Sequence, residues 1–223
     1  EGSVFTTPEA DLRVNLSLNN TPLEWRKIWG LDFGSHHPFG AVLLAFDMEN
    51  DVDYILHCIK MTTAPNTPSI LGHCDAIKRV AAQVPVAWPH DGQVHQATGE
   101  SRADLYKGHG LKMLESHALN VSGNHYTQPG IDALDERMQA RRLFVRNSPE
   151  NEKWFEEYRS YHRKNGKIVK EFDDLMSASR IGYIMRRFAR AVPLGGPLPR
   201  PGPQRIITEF DLFTGRPFPQ GVF

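Results

Sequence analysis

Three short apolar runs, residues 28–33, 41–46 and 54–59, follow one another closely, and no other feature restricts the fold as strongly. Each is the length of a strand rather than of a core helix. The polar stretch Asp47-Met-Glu-Asn-Asp51, rich in turn formers, joins the second run to the third as a hairpin requires. The three therefore read as neighbouring strands. Behind Pro68-Ser69, the positions Ile70, Leu71, Cys74, Ile77, Val80 and Ala81 recur at helical spacing, with Ser69 placed to cap the first free N–H groups. A short strand at 84–88 follows, then a broken helical pattern beyond Ser101 that contains Leu105, Tyr106, Leu111, Met113 and Leu114. The order strand, strand, strand, helix, strand, helix makes this an α/β chain. With 223 residues, 40% of them hydrophobic, it can build one sizeable core.

The second half adds a helix at about 131–142, a strand at 143–145 and an aromatic helix around 154–161. Two basic flanks then meet at Asn165-Gly166, the dipeptide best suited to a tight hairpin because both central residues need positive φ. From Asp173 to Arg190 the stripe Leu175, Ala178, Ile181, Met185 and Phe188 marks a helix, with Arg180, Arg186, Arg187 and Arg190 largely off it. Residues 1–24, with Pro8, Pro22 and several Asn, read as an arm or linker, residues 25–191 as the main domain, and 192–223 as a tail dense in Pro and Gly. A start at Glu1 without Met or leader is expected of a piece of a longer protein. No apolar run approaches the roughly 18 residues that cross a bilayer, the longest being 40–46. Cys58 and Cys74 are too isolated for a thiolate metal site and are expected as buried thiols.

Acidic residues stand where a carboxylate hinders folding but serves metal binding. Asp32 interrupts an apolar strand, where an unpaired buried charge costs several kcal/mol or more. Asp91 follows the end of the 84–88 strand, and Asp173 and Asp174 open the last helix, where the helix dipole favours negative charge. Taken singly, each has an ordinary explanation as an ion pair, a turn residue or an N-cap. Taken together, a first strand, a fourth strand and a late helix can bring three carboxylates to one edge of a mixed sheet. Hard oxygen donors without a Cys/His cluster select Mg²⁺ or Mn²⁺, and two such ions can hydrolyse a phosphodiester, with Asp32 shared between them and Asp91 and one of Asp173 and Asp174 holding one each.

A net charge of +0 at first argues against a nucleic-acid substrate. The distribution answers the objection: residues 1–75 hold four Lys and Arg against ten Asp and Glu, whereas residues 137–190 hold fourteen against seven. Arg163, Lys164 and Lys167 on the basic hairpin can contact a DNA backbone, and Arg137, Arg141, Arg142 and Arg146 can extend that track. His36, His37 and His90 lie beside the acids in sequence and read first as turn histidines.

These residues resemble the C-terminal nuclease domain of the large terminase subunit of tailed bacteriophages, a ribonuclease H-like family. The matching pieces are Trp29-Gly-Leu-Asp-Phe-Gly34 with His37-Pro-Phe39, Pro89-His-Asp-Gly92, Trp154-Phe-Glu-Glu-Tyr158, Tyr161-His-Arg-Lys164, Gly166-Lys-Ile-Val-Lys170 and Asp173-Asp-Leu-Met-Ser177. The likeness spans most of residues 25–190, and the Asp-Asp motif that opens the last helix is its most specific part. The resemblance implies a ribonuclease H-like mixed central sheet flanked by helices. It also implies an endonuclease that cuts concatemeric viral DNA during packaging, with Asp32, Asp91 and Asp173 or Asp174 as metal ligands. Double-stranded DNA, an upstream ATPase domain, the portal protein and the small terminase subunit would be its partners, at the capsid portal in the host cytoplasm. Some related nucleases carry a further acid one turn into this helix, where Ser177 stands here, so the resemblance leaves a fourth ligand open.

Two other readings use the same residues. Gly-x-Asp-x-Gly also occurs in sugar kinases and actin-like ATPases, which need a second phosphate loop not found here. A docking module that binds the portal through the tail is the non-enzymatic alternative. The chain lacks Gly-x-x-x-x-Gly-Lys-Ser/Thr, so any ATP-driven translocation belongs upstream of Glu1.

Overall fold

The computed structural model describes residues 2–34, 37–62, 70–95, 99–124 and 126–195. His36, the capping role expected of Ser69 and the tail from residue 196 lie outside the described residues. In chain order the elements are β1 (Gly2–Ser3), α1 (Glu9–Leu12), β2 (Arg13–Val14), β3 (Arg26–Asp32), β4 (Phe39–Asp47), β5 (Val52–Met61), α2 (Ile70–Ala81) and β6 (Pro85–Ala87). Then follow α3 (Arg102–Gly108), β7 (Lys112–Met113), α4 (Thr127–Gln139), β8 (Leu143–Arg146), α5 (Pro149–Ser160), β9 (His162–Lys164), β10 (Lys167–Ile168) and α6 (Asp174–Ile184).

The three apolar runs form the centre of a seven-stranded sheet ordered β2-β8-β5-β4-β3-β6-β7. β4 runs antiparallel to β3 and β5, and every other neighbouring pair is parallel. The sheet is mixed, as the order of elements predicts. Its inner strands are apolar on both faces because both are covered: α4, α5 and α6 contribute to one core, α2 and α3 to the other.

Two local features set the geometry of the α6 face. The first is a close approach of helix to sheet. A methyl group on Gly30 would lie 2.0 Å from the Ala178 carbonyl oxygen, and one on Gly40 would lie 2.8 Å from that of Asp174. Only glycine admits the helix to that depth. The second is a bulge in β5, where Leu43 pairs with His57 but Leu44 pairs with Ile55, leaving Leu56 unpaired. Arg146 Nε donates to the Leu56 carbonyl at 2.6 Å and Asn151 Nδ2 at 3.3 Å, so the bulge is satisfied rather than frayed. It shifts the side-chain alternation by one, bringing Cys58 and Lys60 to the α6 side, where Ile55 already points.

Elsewhere the elements depart from the sequence reading. The expected arm is built into the seven-stranded sheet, where β2 pairs with β8, and into a second, three-stranded sheet ordered β1-β9-β10, while Phe5 and Leu12 are buried. α4 begins at Thr127, four residues earlier than the apolar period indicates. β7 is two residues long and carries no period of its own. The last helix ends at Ile184, and a single 3₁₀ turn, Arg186–Phe188, follows. Beyond it Arg190 exchanges backbone hydrogen bonds with Lys27, at 2.8 and 3.0 Å, supplying partners that the short β6 does not reach.

Candidate active site

Across β3, β4 and β5 the register places Asp32, Gly40 and Lys60 in one row. With no side chain on Gly40, the start of α6 settles over the middle of that row. Lys60 Nζ then lies 2.9 Å from Asp174 Oδ2, an ion pair rather than a well-directed hydrogen bond, and 2.5 Å from Glu157 Oε1. The other Glu157 oxygen accepts from the backbone N–H groups of Leu175 and Met176, at 2.7 and 3.2 Å. A glutamate from α5 thus caps the first turn of α6, a role that Asp173 at the N-cap position does not fill. His37 closes the arrangement, its Nδ1 2.6 Å from Asp174 Oδ1 and its Nε2 3.6 Å from Asp32 Oδ1.

Asp91 arrives from the short turn His90–Gln93 after β6. Because β6 is parallel to β3, both deliver their acids at the same end of the sheet. A cleft of about 690 Å³ at that end is lined by Asp32, Asp91, Asp173, Asp174, Ser177 and Arg180 among others. All four acids singled out in the sequence therefore open into one space. Asp91 is half exposed, with Arg102 at 3.6 Å, and His90 packs its ring edge-on to His117, 5.0 Å away.

The electrostatics follow from burial. Desolvation raises the Asp32 carboxyl above its usual range, and the Asp91 charge adds to this against the His37 and Ser177 contacts. Asp173 is raised likewise, by burial and then by Asp174. Burial draws the His37 imidazole down, but Asp32 and Asp174 outweigh it and leave its pKa raised. Among the described residues no three His, Cys, Asp or Glu side chains converge as a ready metal cage. The donor set nonetheless fits a hard divalent cation: carboxylates on Asp32, Asp91 and Asp173 share a cleft, and both burial and the Asp91 charge work against ionisation of Asp32, a conflict that a bound cation relieves. Asp174 differs from them, being already held by Lys60 and His37.

Of the expected DNA-contacting residues, the structure separates two groups. Arg163, Lys164 and Lys167 stand on the β9–β10 hairpin, whose flanking residues Tyr161 and Lys170 both line the cleft. Asn165 and Gly166 at its tip have φ of 52° and 75°, as that turn requires. Arg141 and Arg142 lie at the opposite end of the sheet, beside Asp11 and the carbonyls of Asn50 and Asp51. They do not extend a track from the hairpin. Arg137 pairs with Asp51 and Asp53, and Arg146 holds the bulge.

Lys60, Glu157 and Arg180 are site residues that sequence reasoning passed over. Glu157 had a signal: it falls on the apolar stripe of Trp154, Tyr158 and Tyr161, where a charge is out of place. Lys60 had none, since its direction depends on the bulge.

Residues 29–186 match a family described as the terminase RNase H-like domain. The chain belongs to that family. The terminase RNase H-like domain seen here is 38% identical over 191 residues to the large terminase subunit of Salmonella phage P22, covering 85% of this chain but 37% of that relative. It thus spans little more than a third of the curated protein it matches. The solved P22 large terminase nuclease domain aligns with a TM-score of 0.76 at 37% identity, over 85% of this chain and 95% of that one. At 13% identity the fold alone recurs in the nuclease domain of the bacteriophage SPP1 large terminase, solved with bound Mn, with a TM-score of 0.55 over 80% and 98% of the two chains. The expected ribonuclease H-like sheet is therefore borne out.

Proposed function

We propose that this domain is a divalent-metal-dependent endodeoxyribonuclease that cuts concatemeric viral DNA during genome packaging. One observation carries the reading: Asp32, Asp91 and Asp173 reach the same cleft from three separate elements. The likeness to the P22 nuclease domain supports the activity, and the Mn bound in the SPP1 domain supports Mg²⁺ or Mn²⁺ as the cofactor. Asp32, Asp91 and Asp173 would hold two such ions, whereas Asp174, engaged by Lys60 and His37, fixes the helix start. Bound there, divalent cations would supply Lewis-acid polarisation of the phosphodiester, a water of lowered pKa and stabilisation of the leaving 3′ oxygen. Double-stranded DNA lies along the β9–β10 hairpin, with Arg163, Lys164 and Lys167 against its phosphates.

In the full-length protein an upstream ATPase domain moves the DNA, with the portal and small terminase subunit as partners, at the capsid portal in the host cytoplasm. Asp32→Asn tests the enzymatic core. The variant is expected to fold as the parent does and to lose at least about 100-fold in Mn²⁺-dependent plasmid cleavage; retained cleavage would exclude this site.

A further inference from the structure

Arg180 is 9% exposed, yet among the described residues it forms no hydrogen bond or ion pair. Its place is built for it. Gly130 on α4 leaves room for the side-chain stem, since a methyl there would lie 2.6 Å from Arg180 Cγ. Asp173, Ser177 and Arg180 are spaced i, i+4 and i+7, so they share one face of α6, and all three line the acid cleft. The charges that face the guanidinium are those of Asp32 and Asp173, neither within ion-pair distance, with the Tyr161 hydroxyl as a further neighbour.

A guanidinium stays charged in a protein and carries five N–H donors. Covering most of such a group without a hydrogen-bond partner is costly, and its nitrogens keep contact only with the open cleft. The pattern is that of a donor fork held ready for an anion. Asp32 and Asp173 stand beyond ion-pair distance, and no other described residue supplies an acceptor, so the fork is open to an anion entering the cleft.

We infer that Arg180 binds the phosphate group undergoing cleavage, donating to its non-bridging oxygens from the side of the cleft formed by α6. The inference rests on the nuclease reading. It adds to the carboxylates a protein-borne positive charge aimed where negative charge builds up during attack on phosphorus. The ligand class is a phosphodiester, because a fork of parallel donors matches two phosphate oxygens and because the cleft is the one assigned to phosphodiester cleavage.

The test compares Arg180→Met and Arg180→Lys with the parent protein in three measurements. In Mn²⁺-dependent cleavage, Arg180→Met is expected to lower kcat about 100-fold with little change in KM, and Arg180→Lys to recover part of the loss. With a short duplex bearing one neutral methylphosphonate at a cleaved position, the parent should lose its advantage over Arg180→Met. In thermal unfolding without metal, Arg180→Met should raise Tm, and stabilisation of the parent by inorganic phosphate should disappear in the variant. A variant that unfolds more easily, ignores the methylphosphonate and loses activity only in step with its folded fraction would make Arg180 a structural residue and overturn the inference. If the parent cleaves no DNA while phosphate still raises its Tm through Arg180, the nuclease reading fails and the anion site stands.

Discussion

Lys60 sits between two carboxylates that are each 3% exposed, Glu157 and Asp174, and pairs with both. Lys60→Met leaves Glu157 buried without its ion-pair partner and Asp174 with His37 alone, and the expected loss is on the order of 3 kcal/mol in urea unfolding. Glu157→Gln should cost only about 1 kcal/mol, because an amide oxygen still accepts from Leu175 and Met176. Equal losses would contradict the assignment of Glu157 as a helix cap. A second side chain sets the acid limit of stability. Burial holds His73 down to about 4 from an ordinary 6.5, and its Nδ1 lies 2.8 Å from the Tyr106 hydroxyl. Between those values the unfolded chain takes up a proton that the native chain refuses. The contribution present above pH 6.5 is therefore lost as pH falls toward 4, by a few kcal/mol at most. Urea midpoints measured from pH 4 to 7 should flatten in His73→Gln.

Among the elements, α6 decides the site, and its seat on the sheet depends on missing side chains. Gly30→Ala would drive a methyl into backbone, 2.0 Å from the Ala178 oxygen, whereas at Gly182 the nearest atom is a Leu44 methyl at 2.5 Å that can rotate away. Gly30→Ala is expected to destabilise by about 3 kcal/mol and Gly182→Ala by roughly half that, read as shifts in Tm. The sequence made the elements themselves legible, because 3.6- and two-residue periods record which face is buried: β3, β4, β5 and α2 lie where those periods put them. It could not reveal how far apart two elements stand. Nothing in the sequence marks Gly30 and Gly40 as contact points for a helix, and the unpaired Leu56 that turns Lys60 toward Asp174 has no one-dimensional trace. Asp32, Asp91 and the Asp173-Asp174 pair could be singled out because acids next to apolar runs are conspicuous. Arg180 could not, because an arginine off an apolar stripe looks like solvent-facing surface until α4 covers it.

For the molecule as a whole, 26 basic and 26 acidic side chains cancel, so the proposed DNA binding would depend on where the charges lie. Neutralising Arg163, Lys164 and Lys167 together should flatten the dependence of log K on log salt by up to about 2.7, at roughly 0.9 for each phosphate that keeps its counterions. The pair Arg141 and Arg142, at the far end of the sheet, should leave the slope unchanged when removed. Fluorescence anisotropy over a salt series, with metal withheld, separates the two outcomes. Finally, the pairing of β1 with β9 has a mechanical meaning. Gly2 and Ser3 lie against Arg163 and His162, Val4 donates to the Tyr161 carbonyl, and Phe5 stacks on Tyr158. Tension applied at residue 2 is borne first by those few hydrogen bonds, and so by the hairpin whose far strand leads within six residues to Asp173. Load on the chain and the placement of Asp173 at the acid cleft are thereby linked through a single short ribbon.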